Sequence, residues 1–323
     1  MDEYFGIQRI SNSMLGDLLY DPKLFYEYHI KRSREKKTGL GLKLGSAIHL
    51  KLDLPNSFWK LYEEVKIPTG KYRPLCDETA KTIRENSGVQ FNLALAKACI
   101  KLGISDDKAQ VLAMKAIEKD PYKTYLTQIT TDSNKIPISE GEYDIINQAV
   151  HSINNNERMG KIDKFDIDCQ VFNELAILWE YKSAITTLEM KSKLDRVIVN
   201  HKDKLVTLID YKSEGKHNIY NYPESFEYWH TYRQMAFYRE AIRWWLTQMG
   251  YNAEDYHVDC WVFAVETKPP FRSYPFRVSN DYLKKGDNEW KMLCEKYLWH
   301  KRTGKWEFHK EFYEDFITLH PTK

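Results

Sequence analysis

The sequence predicts an α/β fold in which a small mixed sheet is flanked by many helices. Three consecutive runs are rich in β-branched and aromatic residues and are separated by turn-forming residues, which indicates three consecutive strands. These runs are residues 167–182, 188–200 and 204–212. A helical pattern at 223–249 precedes a fourth strand at 258–267, and a last helix spans roughly 280–300.

The N-terminal part is predicted to be helical and basic. Ser11 and Ser13 can cap a short helix, and Pro22 can open a second helix that runs to about Lys31. The glycine-containing stretch 31–43 is predicted to be a loop, followed by a helix at 43–54.

A long helical pattern from Asp77 to about Glu157 interrupts these elements, and it includes a capping box formed by Ser139 and Glu142. The sequence therefore predicts a single domain of residues 1–323 that carries a helical insertion or subdomain at 77–160.

Composition excludes several classes of protein. The net charge is only +2, so a nucleic-acid-binding surface would have to be a local basic patch. The N-terminus lacks the apolar core of a signal peptide, and no apolar run reaches membrane-spanning length, so we expect a cytoplasmic protein without a membrane partner. The cysteines are far apart and form no CxxC pair, which argues against zinc ribbons and iron–sulfur clusters. They are Cys76, Cys99, Cys169, Cys260 and Cys294.

The strand at 204–212 carries the first candidate site residues. By alternation, Asp210 and Lys212 lie on one face of a strand that is apolar on both faces, as central strands are. Burying a carboxylate and an ammonium is costly unless they pair or bind a metal. However, the pattern (Asp/Glu)-x-Lys occurs ten times in this chain, so on its own it is weak evidence.

The two preceding strands carry further carboxylates that strengthen the prediction of a metal site. Asp195 precedes Asp210 by fifteen residues, with a turn at His201–Asp203, so a hairpin of this length brings the two side by side. Glu174 lies one strand earlier, and three carboxylates on adjacent strands can hold one or two Mg²⁺ ions. Taken alone, Glu174 is better interpreted as an acid on the surface of the strand.

Three further signals lie outside these strands. Gly45 and His49 share a helix face, as do Gln234 and Tyr238, although each pair could simply pack against the core. A basic stretch precedes His49 and could grip a DNA backbone, or it could be a solvated loop. Its candidate residues are Lys31, Arg32, Arg34, Lys36 and Lys37.

The order GxxxH, Glu, Asp, D-x-K and QxxxY resembles RecB-type nucleases of the PD-(D/E)xK superfamily. More closely, it resembles the phage exonuclease branch that includes lambda exonuclease and exonuclease VIII. The N-terminal SNSMLGDLLYDPKLFYEYHI is also similar to the opening of these proteins, and the resemblance covers most of residues 10–245. It implies a restriction-endonuclease-like core and a stand-alone, Mg²⁺-dependent deoxyribonuclease, with Mn²⁺ as an alternative metal.

The resemblance also implies roles for individual residues. Asp195, Asp210 and the main-chain carbonyl of Tyr211 would hold the catalytic metal, and Glu174 would complete a second metal position. His49 would add or orient a ligand.

The remaining motif residues would act on the DNA. Lys212 would position the attacking water or offset phosphate charge, while Gln234 and Tyr238 would line the site and hold the DNA strand. The family usually has Thr after D-x-K, whereas this chain has Ser213, which keeps the hydroxyl.

For the whole protein, the resemblance implies 5′→3′ resection of double-stranded DNA ends in phage-type recombination within a bacterial host cytoplasm. It also implies a single-strand annealing protein as partner and a homo-oligomeric ring. The sequence leaves two alternatives open: an endonuclease of the same superfamily, and a DNA-binding scaffold with an inactive site. The presence of all polar site positions argues against the scaffold.

Overall fold

The computed structural model describes residues 4, 6–34, 39–86, 88–104, 106–131 and 135–314. The chain divides into two compact units, residues 1–49 with 149–323 and residues 50–148. The domain boundaries expected from the sequence, an insertion at 77–160 within a single domain, stay a prediction.

The first unit is built around a five-stranded sheet in the order β3-β4-β5-β6-β7. The strands are β3 (Cys169–Lys182), β4 (Thr187–Asn200), β5 (Leu205–Glu214), β6 (His257–Glu266) and β7 (Ser273–Arg277). Only β5 and β6 pair in parallel, and the other neighbours are antiparallel. The predicted α/β fold with a small mixed sheet flanked by helices is therefore confirmed.

Helices surround this sheet. At the N-terminus, α1 (Asn12–Tyr20) is capped by the Ser11 side chain, and α2 (Pro22–Phe25) begins at a proline and continues as a π-helix (Tyr26–Ile30). The helix α3 (Leu40–Asp53) begins three residues earlier than predicted. The remaining helices of this unit are α10 (Glu157–Ile162), α11 (Tyr222–Tyr228), α12 (Thr231–Gln248), α13 (Asn280–Thr303) and α14 (Glu311–Glu314).

The second unit is mainly helical. Its helices are α4 (Phe58–Leu61), α5 (Arg73–Glu85), α6 (Phe91–Lys101), α7 (Asp107–Ile117), α8 (Tyr122–Thr131) and the start of α9 (Glu140–Asn154). The capping box is present, because Ser139 and Glu142 exchange side-chain to backbone hydrogen bonds. No helix in the described part of the chain is long and apolar enough to cross a membrane.

Three details of the sequence prediction are wrong. The segment 77–157 is not helical throughout, because β2 (Ile136–Ile138) pairs in parallel with β1 (Tyr62–Glu64). The helix predicted at 223–249 is broken at Trp229–His230, where His230 adopts a left-handed backbone conformation. The strand β7 was missed because Pro275 argues against a central strand, whereas an edge strand tolerates a proline.

The packing of α13 on α12 depends on a glycine. A Cβ atom at Gly286 would overlap the backbone oxygen of Tyr232 and would lie 2.8 Å from the Cβ of Ala236. We therefore expect Gly286→Ala to lower the free energy of unfolding by about 1–3 kcal/mol, measured by urea denaturation. Gly160→Ala is the matched control. Gly160 also lies in a helix, but a Cβ atom there would meet no neighbouring atom within 4 Å outside its own helix, so the substitution should be neutral or slightly stabilising. Equal effects of the two substitutions would contradict this account of the helix pair.

Candidate active site

The strand β5 buries Asp210 in the first unit and leaves Lys212 partly exposed. Consecutive side chains of β5 lie on opposite faces of the strand and contact different helices. Asp210 contacts Gln234 of α12, while the ring of Tyr211 packs against His49 of α3. The Asp210 side chain is only 1% exposed and that of Lys212 is 28% exposed. The strand is therefore covered on both faces, as its apolar sequence predicts.

The β4–β5 hairpin brings Asp195 to the same place. Ladder pairing ends at Arg196 and Ile209, so the next two residues across the strands are Asp195 and Asp210. Instead of continuing the ladder, the Asp195 carboxylate accepts a hydrogen bond from the backbone N–H of Tyr211 at 2.9 Å. The two aspartates thus lie side by side where β4 and β5 begin to separate.

The two carboxyl groups differ in pKa. Burial raises the pKa of Asp210 to about 6, even though the charge of Lys212 opposes this shift. Burial acts in the same direction on Asp195, but the charges of His49 and Lys212 and the N–H of Tyr211 outweigh it and hold the pKa below its usual value. At neutral pH both groups are ionised, and Asp210 is the one that a fall in pH protonates first.

Lys212 and Asp210 form an ion pair of 2.6 Å between Nζ and Oδ2. Burial would lower the pKa of Lys212, but the two aspartates keep it above its usual value, so the ammonium stays charged. Asp210 Oδ2 is buried, and the Lys212 ammonium is its ion-pair partner. Carboxylate oxygens are the ligands that Mg²⁺ prefers, so a cation bound here would compete with Lys212 for this oxygen.

His49 of α3 contacts the same oxygen of Asp195 that accepts the hydrogen bond from Tyr211. The Nδ1 atom of His49 is 3.4 Å from Asp195 Oδ2. Burial lowers the pKa of the imidazole, but Asp195 outweighs this effect, so the pKa is raised above its usual value. Gly45, one helical turn earlier, faces Ser213, and a Cβ atom there would be 2.9 Å from the Ser213 hydroxyl. The glycine thus lets α3 approach β5 closely, as the sequence indicated.

Gln234 and Tyr238 of α12 lie on the face of β5 that carries Asp210. The amide nitrogen of Gln234 donates hydrogen bonds of 3.0 Å to Asp210 Oδ1 and to the Tyr238 hydroxyl. Burial, and then the negative charges of Asp210 and Asp195, raise the pKa of Tyr238 well above its usual value. Its hydroxyl therefore stays protonated beside the two carboxylates.

Glu174 is not gathered with the aspartates. It stands across the β3–β4 ladder from Asp195, in a left-handed backbone conformation with φ of 55°, and its flanking residues remain paired. Its carboxylate forms an ion pair with Lys193, which lies on the same strand face as Asp195. The sequence analysis did not single out Lys193, although its position two residues before Asp195 was a usable signal.

The basic stretch has no described contact with the aspartates. Lys31, Arg32 and Arg34 are exposed, and Arg34 pairs with Glu27 at 3.4 Å. Lys36 and Lys37 lie outside the described residues.

The donor set for a metal is therefore small. Within the described ranges, no group of three or more His, Cys, Asp and Glu side chains is gathered as a metal site. Asp195, Asp210 and the main-chain carbonyl of Tyr211 are oxygen donors, the type that Mg²⁺ prefers. These residues fit a hydrated Mg²⁺, which usually takes only one or two protein carboxylates and keeps several waters.

Two buried glutamates end the parallel strands beside this site, and sequence reasoning missed both. Glu214 and Glu266 are neighbours in the β5–β6 ladder. Glu214 accepts hydrogen bonds from the backbone N–H groups of Lys216 and His217, and Glu266 accepts one from Ile219. They therefore fix the loop that follows the strand carrying Asp210.

The fold of this chain is similar to that of a solved structure. A crystal structure from Eubacterium rectale described as a "putative exonuclease" matches with a TM-score of 0.53 and 11% sequence identity, over 100% of this chain and 96% of that chain. At this identity, the likeness shows only that this chain shares the fold of that structure. The crystal structure of SSO0001 matches with a TM-score of 0.22 and 10% identity, over 47% of this chain and 68% of that chain, which is too low to support an argument. No protein-family model matches the sequence, and no curated protein matches it either.

Proposed function

We propose that this protein is a metal-dependent deoxyribonuclease that hydrolyses phosphodiester bonds. The observation that carries the proposal is the juxtaposition of Asp195, Asp210 and Lys212 on adjacent strands where the β4–β5 ladder ends, in a fold similar to that of the Eubacterium rectale structure. A structural ion pair would need only one carboxylate for Lys212. Here a second carboxylate, that of Asp195, stands beside the pair.

In this proposal Asp195, Asp210 and the Tyr211 carbonyl hold Mg²⁺, or Mn²⁺ in its place. Such a cation lowers the pKa of an attacking water and offsets negative charge on the phosphate. Glu174 would serve a second position only after leaving Lys193. His49 orients Asp195 together with the backbone N–H of Tyr211, since both contact the same oxygen, Oδ2.

The other side chains act directly on the substrate. Lys212 keeps its positive charge in the buried site and places it where negative charge develops on the phosphate. Gln234 and Tyr238 fix the orientation of Asp210 and offer an amide and a hydroxyl to the DNA strand. Lys31, Arg32, Arg34, Lys36 and Lys37 would contact the DNA backbone.

The substrate and setting follow the family resemblance. We propose digestion from the ends of double-stranded DNA, with 5′→3′ polarity, for phage-type recombination in a bacterial host cytoplasm. A single-strand annealing protein would receive the 3′ strand, and several copies of the chain would form a ring around DNA. Cleavage of linear, closed circular and single-stranded DNA, each with Mg²⁺ and with EDTA, tests the proposal. Degradation of linear duplex that needs Mg²⁺ supports it, and absence of cleavage on all substrates overturns it.

We expect DNA ends to be required and the protein to be oligomeric. Closed circular DNA should remain intact under conditions in which the linearised form is degraded, because a ring must be loaded at an end. Light scattering in the same buffer should give a mass that is a multiple of 38.4 kDa. A monomer that nicks closed circles efficiently would instead favour the endonuclease.

Metal affinity is expected to fall as the pH drops below about 6, because the raised pKa of Asp210 lets a proton compete with the cation. With one proton displaced, the affinity should change by about tenfold for each pH unit below that value and level off above it. Isothermal titration with Mg²⁺ at several pH values measures this dependence. The surface variant Glu180→Gln should behave like the unmodified protein, and an affinity that is equal above and below pH 6 would contradict the assignment of Asp210.

A further inference from the structure

An exposed aromatic surface follows the strand that carries Asp210. Tyr220, Tyr228 and Trp229 have 73%, 70% and 71% of their surface exposed, although large aromatic side chains are usually buried. All three come within seventeen residues after Lys212. We refer to Tyr220, Tyr228 and Trp229, with Lys216 and Lys268, as the aromatic surface.

The three rings are held at the same edge of the sheet. The hydroxyl of Ser225 in α11 donates to Glu214, which ties the helix ending at Tyr228 to the last residue of β5. Arg272 lies over the ring of Tyr220, 4.7 Å from its centre, and pairs with Glu266, the last residue of β6. Because Glu214 and Glu266 are ladder neighbours, both anchors lie at the carboxyl edge shared by the two parallel strands.

This edge is close to the candidate active site. Glu214 follows Lys212 by two residues on one strand, a distance of about 7 Å along the strand. Tyr222, at the start of α11, is buried, and the negative charges of Asp210 and Glu214 add to the burial that raises its pKa. The helix that ends beside Trp229 therefore begins within the electrostatic reach of Asp210.

The charge of the surface favours an anionic ligand. Lys216 lies 5.9 Å from the centre of the Tyr228 ring, and in the described part of the chain neither Lys216 nor Lys268 forms an ion pair. Glu224, exposed one turn before Tyr228 on α11, is an acidic side chain that opposes this preference. Exposed rings next to unpaired cations suit a ligand that has flat bases and a phosphate backbone.

We propose that the aromatic surface binds an unpaired DNA strand by stacking bases on Tyr220, Tyr228 and Trp229, while Lys216 and Lys268 contact its phosphates. The proposal deepens the nuclease function above and rests on it. The strand would lie beside the site that cuts its phosphodiester bonds, so the surface would hold unpaired nucleotides at the cleavage site.

Binding of fluorescently labelled oligothymidylate in EDTA, measured by anisotropy, tests this proposal without turnover. An abasic oligonucleotide of equal length separates stacking from charge, because it has the phosphates but no bases. Trp229→Leu and Tyr228→Leu remove a ring and keep apolar bulk at exposed positions, so the fold should survive. Tyr20→Leu is the matched control, since Tyr20 is 79% exposed at the end of α1.

We expect Trp229→Leu and Tyr228→Leu each to weaken oligothymidylate binding by about fivefold or more, with little change for the abasic strand and none for Tyr20→Leu. Lys216→Gln should weaken binding of both oligonucleotides, and Glu224→Gln should strengthen it, with both effects shrinking at high salt. Wild-type affinity in both ring variants would overturn the proposal, as would equal losses for the two oligonucleotides. Self-association of the protein that disappears in Trp229→Leu would also overturn it, by assigning the surface to a second copy.

Cleavage of linear duplex by the same preparations keeps this inference separate from the proposed function. If the unmodified protein cleaves DNA but the ring variants bind oligothymidylate normally, only the aromatic surface is wrong. If ring-dependent binding is found without any Mg²⁺-dependent cleavage, the nuclease function is wrong and the surface stands.

Discussion

Asp195→Asn and Asp210→Asn are each expected to lower DNA cleavage by about 10²-fold or more, since a metal that supplies several kcal/mol of transition-state stabilisation is then lost. Asparagine keeps the size and one oxygen of the side chain, so the hydrogen bond from Tyr211 to residue 195 can persist. The loss should therefore reflect the missing negative charge. Cleavage of linear duplex in Mg²⁺ under single-turnover conditions measures it.

A matched control exists on β3. Glu180 and Lys182 repeat the acid-x-lysine pattern on a strand, but both are exposed. Glu180→Gln should therefore leave cleavage unchanged. Near-normal turnover by a folded Asp195→Asn or Asp210→Asn protein would remove that residue from the site.

Lys212→Ala is expected to abolish most cleavage, by about 10²-fold or more, while leaving metal binding in place. Only the acid of the Asp210–Lys212 pair can ligate a cation, so thermal stabilisation by Mg²⁺ should persist in Lys212→Ala and disappear in Asp210→Asn. The comparison should be made well above pH 6, since loss of the lysine leaves Asp210 more prone to protonation.

DNA affinity separates this role from a general loss of binding. In Ca²⁺, which can support binding without turnover, Lys212→Ala should bind DNA nearly as well as the unmodified protein, because affinity comes from many backbone contacts. Lys182→Ala serves as the surface control. Normal cleavage by Lys212→Ala would mean that Lys212 is only the ion-pair partner of Asp210.

The position of the two aspartates could be predicted from sequence because strand geometry is regular. Alternation along β5 put Asp210 and Lys212 on one face, and the hairpin length put Asp195 opposite Asp210. The four-residue spacing of Gln234 and Tyr238 likewise put both on one face of α12, where Gln234 bonds to Asp210. In each case the local period of the backbone fixes the direction of the side chain.

The remaining features depend on tertiary context that no local period reveals. The ion pair of Glu174 with Lys193 depends on a left-handed backbone residue and on the choice between competing charged partners. The break at His230 accompanies a contact of 2.7 Å between His230 Nδ1 and Glu289, more than fifty residues away in α13. The roles of Glu214 and Glu266 depend on which two strands pair in parallel.

The measurement that tests the central claim most directly is the release of label from linear duplex DNA in Mg²⁺, with the label at the 5′ end in one sample and at the 3′ end in the other. Asp210→Asn protein purified in parallel shows whether a contaminating nuclease contributes. A metal-dependent nuclease that digests 5′→3′ releases the 5′ label early and the 3′ label late, and it releases neither in EDTA. Label release that is equal in the unmodified protein and in Asp210→Asn, or that persists in EDTA, would contradict hydrolysis at Asp195, Asp210 and Lys212.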